Sequence, residues 1–210
     1  MPHVHNQLKQ LNKQQSMNKE KQTMKKLILC LTTVLVSIGV MAEIKSISLT
    51  GTEPFNLSLT PDIAIYNRNV TIEGVTLSVW GENPQTSLAL GIVNGSVGNS
   101  AGLDWAFILN YADNYKGVKW GMVNYTKHDA LGWDAGFLNY ATGAARGLYT
   151  GAVNYADSLK GVEFGLVNYV EKADSGVQIG IINIIRNNKS WFDDLPNSLA
   201  PVMIFVNWRF

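Results

Sequence analysis

Seven asparagines recur along the chain at near-constant spacing: Asn94, Asn110, Asn124, Asn139, Asn154, Asn168 and Asn183, in steps of 16, 14, 15, 15, 14 and 15 residues. Each sits in a unit Gly-x-x-x-Gly-x-x-Asn-Tyr, which reads GVKWGMVNY at 117–125, GWDAGFLNY at 132–140, GLYTGAVNY at 147–155 and GVEFGLVNY at 161–169. GVQIGIINI at 176–184 ends the series, LALGIVNG at 88–95 and LDWAFILNY at 103–111 are looser copies, and GVTLSVWG at 74–81 is a decayed one. The second glycine of the unit recurs as Gly121, Gly136, Gly151, Gly165 and Gly180. A fixed period of this kind restricts the chain to architectures that repeat one small supersecondary unit.

The unit has strand chemistry. Its residues alternate with period 2 and are rich in β-branched and aromatic types, and the glycines leave no 3.6-residue stripe for a helix. Turn formers separate the copies: Ala112-Asp113-Asn114, Lys127-His128-Asp129, Thr142-Gly143, Ala156-Asp157-Ser158 and Lys172-Ala173-Asp174. Strands are therefore expected at 71–80, 86–95, 102–112, 117–126, 132–141, 147–156, 161–170, 176–186 and 201–210, with one more near 44–50 or 61–66. The two faces differ. Trp120, Met122, Trp133, Phe137, Phe164, Leu166, Ile179 and Ile181 fall on one; Lys119, Gly121, Asp134, Gly136, Glu163, Gly165, Gln178 and Gly180 fall on the other. A bulky apolar face opposite small residues and single charges suits a narrow membrane barrel with lipid outside. Lys119 is then expected to pair across the lumen with Glu163 or Asp134.

The expected fold class is thus all-β: an antiparallel transmembrane β-barrel of 8–10 strands, with a parallel β-solenoid as the alternative. In a barrel, neighbouring copies run in opposite directions, yet the copies end alike, five of them in the same Asn-Tyr. A solenoid stacks each Asn above the last and accounts for the identical ends. The turn-rich joints and the carboxyl end favour the barrel, whose interfacial girdle would hold Trp80, Tyr125, Tyr140, Tyr155 and Tyr169, and whose segment 187–200 would form an extracellular loop.

The first 42 residues differ from the rest: six Lys, one Glu (Glu20) and none of the 21 aromatics. Residues 1–23 are polar and aperiodic and read as an overhang before a true start at Met24. Residues 24–42 read as a signal peptide: Met24-Lys25-Lys26 is basic, Leu27 to Ala42 is uncharged, and Val40-Met41-Ala42 offers a cleavage site before Glu43. Sixteen uncharged residues are short for a spanning helix, which needs about 20. Residues 43–210 form the repeat domain, with 11 Lys+Arg against 15 Asp+Glu. Mild acidity without basic clusters argues against nucleic acid as a partner. The only cysteine, Cys30, lies in the leader, so the repeat domain has neither a thiol nucleophile nor a Cys-ligated metal.

The chain ends PVMIFVNWRF, with Val202, Ile204, Val206, Trp208 and Phe210 on one face. Val206, Trp208 and Phe210, with apolar residues at every second position before a terminal Phe, resemble the assembly signal of bacterial outer-membrane β-barrels. That resemblance implies outer-membrane lipid and the barrel-assembly machinery as partners. The Gly-x-x-x-Gly-x-x-Asn units, TPDIAIYNRNVTIEGVTLSVWG at 60–81 and the ending Val206-Asn207-Trp208-Arg209-Phe210 together resemble the bacterial surface-repeat proteins over roughly residues 60–210. This resemblance implies an envelope or surface location in a Gram-negative-type bacterium and brings no catalytic residue with it. Phe107 stands where that pattern expects glycine.

Chemistry is thin. One histidine, His128, follows residue 42, and its neighbour Asp129 points the other way on an extended chain, so the pair does not make an acid–base unit. Asp193-Asp194 is a weak calcium pair at most. No cofactor or metal is expected, and the repeated Asn reads as architecture. The expected function is a non-catalytic outer-membrane or surface protein with a structural or surface-interaction role. A secreted solenoid acting as an adhesin is the alternative, and a barrel lipid-modifying enzyme is the remote one.

Overall fold

The computed structural model describes residues 51–210; the signal-peptide and start-site readings, Cys30 and a strand at 44–50 lie outside the described residues. Among the described residues there are nine strands: β1 (Thr52–Thr60), β2 (Ile63–Ala64), β3 (Thr71–Gly81), β4 (Leu88–Trp120), β5 (Val123–Thr126), β6 (Ala130–Ala135), β7 (Leu138–Thr150), β8 (Val153–Ile185) and β9 (Val202–Arg209). Strands β4 and β8 have 33 residues each. Straight, either would reach about 110 Å at ~3.3 Å per residue. Instead they wind.

The winding is parallel and in register with the repeat. Asn110 pairs with Asn124, Asn124 with Asn139, and Asn139 with Asn154. Gly117 pairs with Gly132, Gly132 with Gly147, and Gly147 with Gly161. Each residue lies over its counterpart one coil earlier, so the fold is a parallel β-solenoid and the antiparallel barrel expected from the turns and carboxyl end is corrected. Identical Asn-Tyr ends require every copy to face the same way, which antiparallel neighbours forbid. The expected strands are real as segments but are continuous through several of the joints. The tenth candidate at 61–66 contributes only β2, antiparallel to β1.

Two glycine rows make the coil possible. Gly132 adopts φ +136°, and a Cβ there would sit 1.9 Å from the carbonyl oxygen of Gly117 in the coil below. At the second row, a Cβ on Gly136 would meet the Gly121 carbonyl oxygen at 2.3 Å and the Asn124 amide at 2.8 Å. Side chains are thus excluded where one coil's backbone lies on the next and where the Asn amide fills the space. In section each coil is a wedge. One strand (115–120) runs to a corner at 121–122, a second (123–126) runs back, and a turn at 127–129 leads to the next coil.

The core is narrow. Its apolar cluster includes Ala130, Ala141, Ala145, Ala156, Leu159, Val170, Ala173 and Ile185. The irregular early step has a local cause: Gly121 lies over Ala106, fifteen residues back, whereas Asn124 pairs with Asn110, fourteen back. Copy 103–111 therefore carries one extra residue at the corner, where Phe107 and Ile108 are both exposed. Ala106, rather than Phe107, occupies the glycine position.

Strand β9 closes the stack. It pairs antiparallel with β8, Val177 opposite Trp208 and Ile179 opposite Val206. The segment 187–200 folds against it: Phe210 N–H donates to Asn197 O at 2.8 Å, and the Trp208 indole donates to Pro196 O at 2.9 Å. The amphipathic carboxyl strand covers the solenoid's last edge, an end that would otherwise offer unpaired backbone groups. It does not close a barrel.

Candidate interaction surface

The winding sorts the repeat into rows. Inside the wedge run two polar rows; outside run apolar ones.

The first inner row is the asparagines. Each side-chain amide donates to the carboxamide oxygen of the next: Asn94 to Asn110 at 3.3 Å, Asn110 to Asn124 at 2.9 Å, Asn124 to Asn139, Asn139 to Asn154 and Asn154 to Asn168 at 2.8 Å, and Asn168 to Asn183 at 2.7 Å. The second amide hydrogen goes to backbone in the next coil, as from Asn139 to Thr150 O at 3.0 Å and from Asn168 to Ile179 O at 3.0 Å. Ser78 starts the ladder with a hydroxyl on Asn94 Oδ1 at 2.9 Å. These side chains are buried and hydrogen-bonded, as buried amides must be.

The second inner row stacks Asp104, Lys119, Asp134, Tyr149, Glu163 and Gln178, all buried. Lys119 Nζ lies 3.1 Å from Asp134 Oδ2 and also contacts the Thr126 hydroxyl. The pairing expected of Lys119 is therefore made with Asp134. Glu163 instead accepts from Gln178 Nε2 at 2.8 Å. Burial pushes the Glu163 carboxyl up to about 8 despite the Gln178 hydrogen bond. Burial also pushes Asp104 up to about 7, opposed by Lys119, and raises Asp134 against the same opposing charge. Asp104 Oδ1, Glu163 Oε1 and Gln178 Oε1 have no partner. Charged residues at the third position of the unit signalled this row, but Asp104 and Tyr149 escaped the sequence reading.

Outside, the wedge edge is apolar on both flanks. Trp105, Trp120, Phe164 and Ile179 lie just before the corner, and Phe107, Met122, Phe137, Leu166 and Ile181 lie on it, with Phe137 66% exposed and Trp120 58%. From Leu103 to Ile184 the exterior rows at the second, fourth, sixth, seventh and ninth positions of the unit contain no charged residue. Steps in side-chain size leave two shallow concavities. One, of about 490 Å³, is lined by Trp105, Trp120, Met122, Trp133, Gly136 and Phe137; the other, of about 430 Å³, by Phe164, Leu166, Ile179, Ile181 and Phe205. Neither is lined by a titratable side chain. The faces assigned from sequence hold: bulky residues point out, small and charged ones in.

Beyond the corner the tyrosines form one stacked row, with ring centroids 5.8 Å apart for Tyr125–Tyr140, 4.6 Å for Tyr140–Tyr155 and 5.3 Å for Tyr155–Tyr169. They are a single file along the solenoid, not two girdles. The Tyr155 hydroxyl donates to Asp157 at 2.9 Å, which pushes its pKa up to about 12. On the other flank, Lys116, Arg146 and Lys160 are exposed in one row next to the apolar ones.

The remaining candidates are scattered. His128 and Asp129 sit exposed in the turn opposite the corner. Asp194 is occupied by Asn197 Nδ2 at 3.2 Å and Ser198 Oγ at 3.0 Å, which lower its pKa. Among the described residues no group of three His, Cys, Asp or Glu is placed to hold a metal ion. Val206 and Trp208 lie on β9 at the capped end, and Phe210 follows the strand directly. Compared with family models, curated proteins and solved structures, the chain matches none.

Proposed function

We propose that the protein is an exported, non-catalytic repeat protein of the bacterial envelope or surface that acts by binding through its apolar wedge edge. The observation that carries this reading is that edge: exposed Trp, Phe, Met, Leu and Ile run along the solenoid with no charged residue among them. The largest apolar patch on a monomeric soluble protein is typically about 300–600 Å² and marks an interaction site when larger. A ridge from Leu57 to Ile204 is roughly 40 Å long at ~4.8 Å per layer, and about 15–20 Å wide across both flanks. It exceeds that range. The asparagine ladder and the charged row stack inside the wedge, away from the exposed edge, which supports a binding role over catalysis. The export signal read at 24–42 and the resemblance to surface-repeat proteins support the location.

The test is a tag inserted at His128, in the turn opposite the edge, in cells producing the full chain. Protease added to intact cells should remove the tag, and the triple variant Trp120→Ser/Phe137→Ser/Phe164→Ser should be released from the envelope fraction. A protein found only in the cytoplasm sinks the reading.

A further inference from the structure

We infer that the occupant of the wedge edge is the interface of an anionic lipid bilayer, into which the corner inserts without spanning it. This rests on the binding role proposed above and names its partner.

Three observations choose lipid over a second copy of the chain. The first is shape. The apolar surface is a convex corner with apolar rows on both flanks, Val118, Trp120, Met122 and Val123 following one another around it in a single coil. A rigid partner lying on one flank leaves the other bare, whereas a fluid covers both. The second is depth. From Met122 at the corner to Tyr125 is three residues, about 10 Å along the strand. Interfacial elements bury their apolar face about 5–10 Å into the boundary between headgroups and acyl chains. The tyrosine file, apolar in its rings and polar at its hydroxyls, then lies at headgroup level, where aromatic residues with a polar tip collect. The third is charge. On the other flank the row that follows the apolar ones carries Lys116, Arg146 and Lys160 and no acidic residue; the nearest acids lie past it in the turns, as Asp129 and as Asp174 beside Arg146 and Lys160. Cations bordering an apolar ridge are complementary to anionic headgroups, each worth roughly fivefold in binding near such a surface.

The six tryptophans, at 80, 105, 120, 133, 191 and 208, all lie outside the leader, so indole fluorescence reads the solenoid and is blind to the apolar leader. Two full-length single-tryptophan proteins are needed. One keeps Trp120 with the other five changed to Phe; the other carries all six as Phe plus His128→Trp. Vesicles of phosphatidylcholine containing phosphatidylglycerol, with bromine on the acyl chains, should shift Trp120 emission to the blue and quench it. They should leave the indole at position 128 unquenched. In the otherwise unaltered chain, Lys116→Gln/Arg146→Gln/Lys160→Gln should weaken binding to these vesicles by one to two orders of magnitude, with little change on phosphatidylcholine alone. Trp120 unquenched, or both probes quenched alike, overturns the inference. So does a dimer that shields Trp120 before vesicles are added, which would make a second copy the occupant. If Trp120 ignores lipid while the triple serine variant still leaves the envelope, the binding role stands and only the lipid is wrong. If the serine variant changes neither readout, both fall.

Discussion

The two polar rows inside the wedge solve the same problem with opposite success. Both stack one side chain per coil, out of contact with water. The asparagine row repeats a neutral group that is donor on one end and acceptor on the other, so each amide satisfies the next at 2.7–3.3 Å along the series. The acidic row cannot repeat, because carboxylates ~5 Å apart in a dry interior repel. Its members change from coil to coil through Asp104, Lys119, Asp134, Tyr149, Glu163 and Gln178, and three of their oxygens are left without partners. Self-complementarity, rather than polarity as such, allows a residue to recur seven times in a core.

The strongest way to break the contrast is to put a charge into the asparagine row. Asn139→Asp removes the donors to Asn154 Oδ1 and Thr150 O and leaves a buried carboxylate without a cation. The expected loss is about 3–5 kcal/mol, read as the urea midpoint of the purified chain at pH 7. A variant as stable as the parent would show that the ladder contributes nothing beyond filling space.

Next in size is the opposite operation, removing the one cation from the acidic row. Lys119→Met leaves Asp104 and Asp134 facing each other across an apolar side chain. The expected loss is about 2–3 kcal/mol at pH 7, smaller than the Asp variant because both carboxyls already have raised pKa values and escape by protonation. Lys119→Met/Asp134→Leu should recover part of it. Additive losses in that double variant would mean the 3.1 Å pair is not coupled.

Much of this was legible in the sequence, and the part that was not has a common cause. The period, the inward glycines, the outward Trp120 and Phe137 and the Lys119–Asp134 pair all follow from alternation, which is local. Whether consecutive copies lie parallel or antiparallel depends on the joints, and Asp-, Asn- and Gly-rich joints serve a hairpin and a solenoid corner equally well. The repeated Asn-Tyr end was the deciding signal, since only parallel stacking brings Asn124 over Asn139. The carboxyl strand misled because apolar alternation is not peculiar to a membrane barrel: β9 pairs with β8, and Ile204, Val206 and the following Phe210 continue the solenoid's exposed apolar exterior. The cationic row of Lys116, Arg146 and Lys160 was invisible until the coil was known, because fourteen or fifteen residues separate its positions and Leu131 interrupts it.

A third prediction uses pH to sharpen the contrast, since only one row titrates. Glu163 has a folded-state pKa of about 8 against an ordinary 4.5, so the folded state holds its proton more tightly than the unfolded chain does. Stability is then greatest below about pH 4.5, falls as pH rises toward 8, and levels off above. The slope is about 1.4 kcal/mol per pH unit for one fully shifted group. Asp104 adds its own loss between the ordinary carboxylate range and about 7. Glu163→Gln, which keeps an oxygen for the Gln178 amide, should flatten the 4.5–8 window and stabilise the protein at pH 8. Equal slopes in the two proteins would mean that Glu163 reaches water.

The smallest effect tests whether repetition alone stabilises. The exterior tyrosines recur in five copies where the asparagines recur in seven, and Tyr125 to Tyr169 stack at 4.6–5.8 Å, yet the hydroxyls of Tyr155 and Tyr169 bond to Asp157 and Glu171 of the same coil rather than to one another. Stacked pairs contribute about 0.5–1.5 kcal/mol beyond area burial. Tyr140, with a neighbour on each side, is half-buried and keeps some of its contacts as a leucine. Tyr140→Leu should therefore cost only about 1 kcal/mol in the urea midpoint, well below Asn139→Asp one position away. If the tyrosine proves as costly as the asparagine, the solenoid is held together by its surface file as much as by its core. The binding edge would then have a structural duty that limits how freely it can be altered.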